Sequence, residues 1–135
     1  MTPGQSRRLA RKSALRQQEV VEALEALANS IAKAETMIVD LKDQMEAVNT
    51  KHQERKTTSD DIAYLEDLLQ CARKKLAWEK QMAGLSKRIP EVLEAVTAVM
   101  NDPVAPPPDE TRVVVVQLLN NVQQSMARLE TAKGS

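Results

Sequence analysis

The sequence predicts an all-α protein, and three observations lead to that fold class. Apolar residues recur at alternating steps of four and three from Val20 to Val48, which is the heptad repeat of a helix that packs on another helix. The 135 residues include no Phe, one Trp and one Tyr, so the core has to be built from thin layers of aliphatic side chains. Only three glycines are present, too few for the tight turns of a sheet protein.

The first helix is predicted over residues 6–55. Its heptad seam consists of Val20, Leu24, Leu27, Ile31, Ala34, Ile38, Leu41, Met45 and Val48, and His52 occupies the next seam position. A heptad repeat sustained over this length requires a partner helix, either within the chain or in a second molecule.

Polar residues 56–61 interrupt the heptad pattern. Thr58 or Ser59 is the expected N-cap of a second helix, and Asp60 and Asp61 then place negative charge at its positive end. A short polar connection between two long helices favours an antiparallel coiled-coil hairpin, in which residue i lies opposite about residue 116 − i. An antiparallel dimer of two chains is the alternative arrangement.

The second helix is predicted over residues 59–100, and it carries two apolar stripes. The Ile62 stripe consists of Ile62, Leu65, Leu69, Ala72 and Leu76. The Tyr64 stripe consists of Tyr64, Leu68, Cys71, Trp78, Met82, Leu85 and Ile89. Together they form a face too wide for a single neighbour, which predicts contacts with two. Gly84 and Pro90 predict a kink or short break over residues 84–90.

A proline-rich linker over residues 102–108 separates the hairpin, residues 1–101, from a third helix over residues 109–132. Asp109 is its expected N-cap. The valine run at residues 113–116 has strand propensity, but no second strand exists for it to pair with. The third helix is expected either to pack on the Tyr64 stripe of its own chain or to exchange onto a second chain.

No arrangement of residues typical of an enzyme or of a metal site stands out. His52-Gln53-Glu54 matches half of the zinc-deaminase signature, but the P-C-x-x-C half is missing and His52 is the only histidine. Cys71, the only cysteine, lies between apolar side chains and is expected to be a small core residue. The sequence therefore predicts no catalytic residues, no metal, no bound cofactor and no enzymatic activity.

The first sixteen residues contain five basic residues and no acidic ones. The basic residues are Arg7, Arg8, Arg11, Lys12 and Arg16. We interpret them as a helix end that is solvated or paired within the protein; contact with nucleic acid or an anionic membrane and organellar targeting are the alternatives. A formal net charge of zero and the lack of interleaved aromatic residues weigh against nucleic acid.

Protein–protein interaction is the function class that remains. The sequence predicts a scaffold, adaptor or assembly subunit that binds protein partners, or further copies of itself, through helical faces, with the Tyr64 stripe as the contact surface. An accessory protein that binds nucleic acid or an anionic membrane through the basic residues is one alternative, and a secretion or assembly chaperone for a helical client is another. No small-molecule substrate is expected. The single cysteine, the lack of a signal peptide and the lack of a membrane-length apolar run indicate a cytoplasmic protein.

Overall fold

The protein consists of three helices in a computed structural model, which describes residues 3–54 and 61–134. Helix α1 spans Pro3–Glu54, α2 spans Asp61–Met100 and α3 spans Asp109–Gly134. Every regular element within the described residues is a helix, so the predicted all-α hairpin with a third helix is confirmed. The expected caps of α2, Thr58 and Ser59, lie outside the described residues.

Helix α1 is central, because α2 and α3 both pack on it and have few contacts with each other. The heptad seam is the line along which they pack. Leu24, Leu27 and Ile31 have no exposed surface, since helices cover them from two sides. The other buried seam residues are Val20, Ala34, Ile38, Leu41 and Val48. Met45 is exposed even though it is a seam residue.

Helix α2 runs antiparallel to α1 in a register close to the predicted one. The rings of His52 and Tyr64 stack with centroids 3.7 Å apart, and these two residues are a predicted pair. The Nζ atom of Lys74 lies 3.0 Å from Oδ2 of Asp40, two residues away from the predicted partner of Asp40. The ion pair is exposed, so it sets orientation more than stability.

Helix α2 continues through both of its expected weak points. It is helical without interruption across Gly84 and Pro90, so residues 84–90 contain no break, whereas a bend there stays a prediction. Pro90 is exposed, so the backbone carbonyl that loses its hydrogen bond can be hydrated. A Cβ atom added at Gly84 would meet nothing within 4 Å, so no close contact requires a glycine here. The next residue, Leu85, is buried and anchors this turn of α2 to the core.

The loop between α2 and α3 is docked on the bundle. Oδ1 of Asp102 accepts a hydrogen bond from the backbone N–H of Val104 at 2.9 Å, which forms an Asx turn. Nε of Arg112 donates to the backbone oxygen of Pro107 at 3.2 Å, and Pro107 is buried. The proline-rich segment therefore holds α3 at a defined position.

Helix α3 runs parallel to α1 within the same chain. Nε of Arg128 lies 3.7 Å from Oε2 of Glu35, and Nζ of Lys42 donates to the backbone oxygen of Lys133 at 3.0 Å. The expectation that α3 packs on the Tyr64 stripe is thus corrected: α3 packs mainly on α1, and only its later part, at Met126 and Leu129, lies beside Met82, Leu85 and Ile89 of that stripe. Partly buried aliphatic side chains beside the heptad seam widen the apolar face of α1 enough for two neighbours, among them Val21 and Ala28.

The N-terminus of α3 differs from the prediction by one residue. The backbone oxygen of Pro108 accepts the first helical hydrogen bond, from the N–H of Arg112 at 3.0 Å, so Asp109 is the first helical residue and not the cap. Its carboxylate and that of Glu110 still lie in the first turn, where negative charge is favourable. The valine run at residues 113–116 is helical, as predicted.

Candidate interaction surface

Helix α2 directs its Tyr64 stripe towards α1. Cys71 and Leu85 are buried, and Leu68 is at the edge of the contact and exposed. The other four members are partly buried and pack against the core: Tyr64, Trp78, Met82 and Ile89. These side chains already contact a helix of their own chain, and their predicted role in binding another protein stays a prediction.

The Ile62 stripe faces solvent. Ile62 is 72% exposed, Leu65 62%, Leu69 51% and Leu76 53%. At about 100° per residue, this stripe lies roughly 140° around the helix axis from Cys71, on the side of α2 away from α1. The structure thus assigns the two stripes of α2 to opposite environments, one to the core and one to the surface.

The exposed residues of the Ile62 stripe form one continuous surface. Their spacing of three and four residues places them in a row roughly 20 Å long on one side of the helix. Single exposed aliphatic side chains, such as Leu15 and Val39 on α1, are ordinary on protein surfaces. A contiguous apolar row is not, and such patches commonly mark binding sites.

A small groove lies beside the Ile62 stripe. It has a volume of about 170 Å³ and is lined by Met45, Asn49, Leu68, Cys71, Ala72 and Lys75. Helix α3 ends close to Lys42, so it does not extend over this part of the hairpin. The groove is smaller than typical small-molecule sites, and its volume is close to that of a single large side chain.

A larger groove lies at the other end of the hairpin, between α1, the end of α2 and the following loop. Its volume is about 410 Å³, and much of its wall consists of the small apolar side chains of Ala23, Ala95 and Ala98. Arg16 and Asp102 line the same groove. The structure therefore brings one predicted basic residue near an acidic one, although their charged atoms are not within 4 Å of each other.

The five basic residues between Arg7 and Arg16, which are candidates for contact with an anionic partner, are all exposed on the first turns of α1. From residue 4 to residue 12, the side chains that the structure describes are exposed, except that Leu9 is half-buried. None of the five forms an ion pair with a described residue. Pairing within the protein is therefore not seen over residues 3–54 and 61–134, and these residues form a solvated, positively charged helix end.

The single histidine and the single cysteine have different surroundings. His52 is exposed and stacks on Tyr64, whereas Cys71 is buried between α1 and α2. Among the residues that the structure describes, no three or more His, Cys, Asp or Glu side chains lie together as a metal site would require. None of the described helices combines the length and the apolar character needed to cross a membrane.

No known protein family, curated protein or solved structure matches the chain.

Proposed function

We propose that the chain is a non-enzymatic adaptor or assembly subunit that binds a helix of a protein partner through the Ile62 stripe. The observation that supports this proposal most strongly is the heptad-spaced row of four exposed Ile and Leu side chains on α2. Amphipathic helices bind in this way, with anchor residues spaced by three, four and seven positions. The sequence alone favoured the Tyr64 stripe for this role, and the proposal moves it to the stripe that remains accessible.

The surroundings of the stripe support the same role. Cys71 is buried on the opposite side of α2, so α1 holds this helix in place before any partner arrives. A surface that is already ordered loses little conformational entropy when it binds. The adjoining groove at Met45 and Ala72 offers a recess for one partner side chain. We propose the cytoplasm as its compartment, because the reducing conditions there keep a lone cysteine such as Cys71 from forming a disulfide.

Site-specific photo-crosslinking tests the proposal. A photoreactive phenylalanine analogue replaces Leu69, and in a control variant it replaces the neighbouring exposed Gln70, which points to another side of α2. In cells that normally express the protein, we expect a discrete crosslinked protein from position 69 and none from position 70. Equal crosslinking from the two positions, or none from position 69, contradicts the proposal.

The basic end of α1 supports a second candidate function, electrostatic binding to nucleic acid or an anionic membrane. The supporting observation is that Arg7, Arg8, Arg11, Lys12 and Arg16 are exposed and form no ion pair with a described residue. A protein that neutralises phosphates with such residues releases counterions on binding.

Salt dependence tests this second function. If all five residues contact phosphates of duplex DNA, the affinity falls on the order of 10²–10³-fold between about 50 and 200 mM salt. Arg7→Ala/Arg8→Ala/Arg11→Ala should abolish most of the binding to DNA or to phosphatidylserine vesicles. The matched control, Lys33→Ala/Lys51→Ala/Lys87→Ala, removes three exposed basic residues elsewhere and should bind like the unmodified protein. Binding that is insensitive to salt or equally weakened in both variants argues against this function.

A further inference from the structure

We infer that the helix bound by the Ile62 stripe is the same stripe of a second copy of this chain, with the two α2 helices antiparallel. This inference rests on the proposed function, because it names the partner of the same surface. Three properties of the stripe lead to it: its apolar pattern, the charges beside it and its exposed area.

The apolar pattern is complementary to itself in an antiparallel pair. The two-fold axis would cross the pair of helices at the level between residues 70 and 71. Leu65 of one copy then lies opposite Leu76 of the other, and Leu69 lies opposite Ala72. Leucine against alanine next to the axis lets the two helices approach closely. At each end of this seam, Ile62 of one copy lies opposite the exposed Glu79 of the other, so the apolar pairing is carried by the leucines and Ala72. The buried Cys71 is on the opposite side of α2, facing α1, so α1 does not lie between the two stripes.

The charges that flank the stripe select the antiparallel orientation. In a parallel pair, the flanking positions would place Asp61 opposite Glu66 and Lys75 opposite Lys80, so like charges would meet on both sides. In the antiparallel pair, Glu66 of each copy lies opposite Arg73 of the other, and no like charges meet. All of these side chains are exposed, and none is ion-paired with a described residue. Such flanking charges decide the orientation of paired helices.

The exposed area is that of a small interface. At roughly 200 Å² for a fully exposed Ile or Leu residue, the four exposed members offer about 480 Å² per copy, and two copies offer about 950 Å², close to the lower limit of specific interfaces. We therefore expect a weak dimer, with a dissociation constant on the order of micromolar or above.

Sedimentation equilibrium of the purified full chain tests the inference. As its concentration rises towards ~100 µM, we expect the apparent mass of the unmodified protein to approach twice the 15.0 kDa of one chain. Leu65→Glu/Leu69→Glu should stay monomeric at every concentration. The control Leu15→Glu/Val39→Glu changes two exposed apolar residues outside the stripe and should dimerise like the unmodified protein. Circular dichroism verifies that each variant remains helical.

A charge reversal tests the orientation. Glu66→Arg places two arginines opposite each other in the antiparallel dimer, and we expect roughly tenfold weaker association. Adding Arg73→Glu to the same chain should restore it. A parallel dimer would respond with the opposite sign, because Glu66→Arg removes the repulsion from Asp61.

The outcomes separate this inference from the proposed function. A protein that remains monomeric at ~100 µM, or a dimer that Leu65→Glu/Leu69→Glu leaves intact, overturns the self-association. If position 69 nevertheless crosslinks to a different protein in cells, the stripe still binds a helix and the proposed function stands. If the protein is monomeric and position 69 gives no crosslink, both fail.

Discussion

Leu27→Ala is expected to lower the free energy of unfolding by about 3–4 kcal/mol. Leu27 has no exposed surface and lies on the part of α1 where α2 and α3 both pack. Removing its side chain takes apolar contacts from three helices at once, and neither neighbouring helix can move into the space without losing its contacts on the other residues of the seam. Urea denaturation followed by circular dichroism measures the change.

Leu15→Ala is the matched control, since it is the same substitution in the same helix at an exposed position. It should change the free energy of unfolding by less than about 0.5 kcal/mol, because alanine has the higher helix propensity and little packing is lost. Similar losses in the two variants would show that α1 does not form the centre of the core.

The sequence was sufficient to predict the heptad seam and the pairing of α1 with α2. A seam residue is buried because its position in the heptad repeat places it on the side of α1 that faces the other helices. This position can be read directly from the sequence. The antiparallel register followed from the position of the polar interruption, at which the chain was expected to fold back, and the stack of His52 on Tyr64 agrees with it. These features depend on local spacing, which is why they could be predicted without a three-dimensional structure.

Spacing alone did not distinguish which stripe of α2 is buried. Trp78 favoured the Tyr64 stripe as the interaction surface, but aromatic side chains serve equally well in cores and in interfaces. One signal for the core was present: the Tyr64 stripe continues in phase through Val92, Val96 and Val99, which are also buried, whereas the Ile62 stripe ends at Leu76. Helix α1 is longer than α2, so it covers the Tyr64 stripe, which continues along the full length of α2.

The position of α3 could not be predicted from spacing alone. Its own apolar positions show that it needs a neighbour, but they do not distinguish α1 from α2. What decides the outcome is the width of the apolar face on α1, to which partly buried residues such as Val21 and Ala28 contribute. The docked loop, fixed by Asp102 and Arg112, then directs α3 along α1.

Val115→Asp should release α3 from α1 and destabilise the protein by on the order of 4 kcal/mol. Val115 has no exposed surface, and the aspartate would be buried in an apolar interface, while the guanidinium of Arg112, one turn earlier, is already bonded to the backbone oxygens of Pro107 and Met100. An unpaired buried charge costs several kcal/mol, and the chain avoids this cost most easily by detaching α3, which has few contacts with α2.

Hydrogen exchange read by mass spectrometry measures this release. In Val115→Asp, amide protection should fall across α3 and along the part of α1 that it covers, around Leu24 and Ile31, whereas amides near Cys71 should keep theirs. Val113→Asp is the control: Val113 is exposed two residues earlier, and a negative charge near the start of the helix is favourable.

The face of α1 that α3 covers and the Ile62 stripe of α2 are separate apolar surfaces. Association through each of them can therefore be tested independently. Detaching α3 exposes a second apolar face on α1, so Val115→Asp should form species larger than a dimer. Val115→Asp combined with Leu65→Glu/Leu69→Glu should then still associate, through the uncovered face of α1 alone. Sedimentation that shows this combined variant to be monomeric would mean that α3 does not shield α1, in conflict with the burial of Leu24 and Leu27 between the helices.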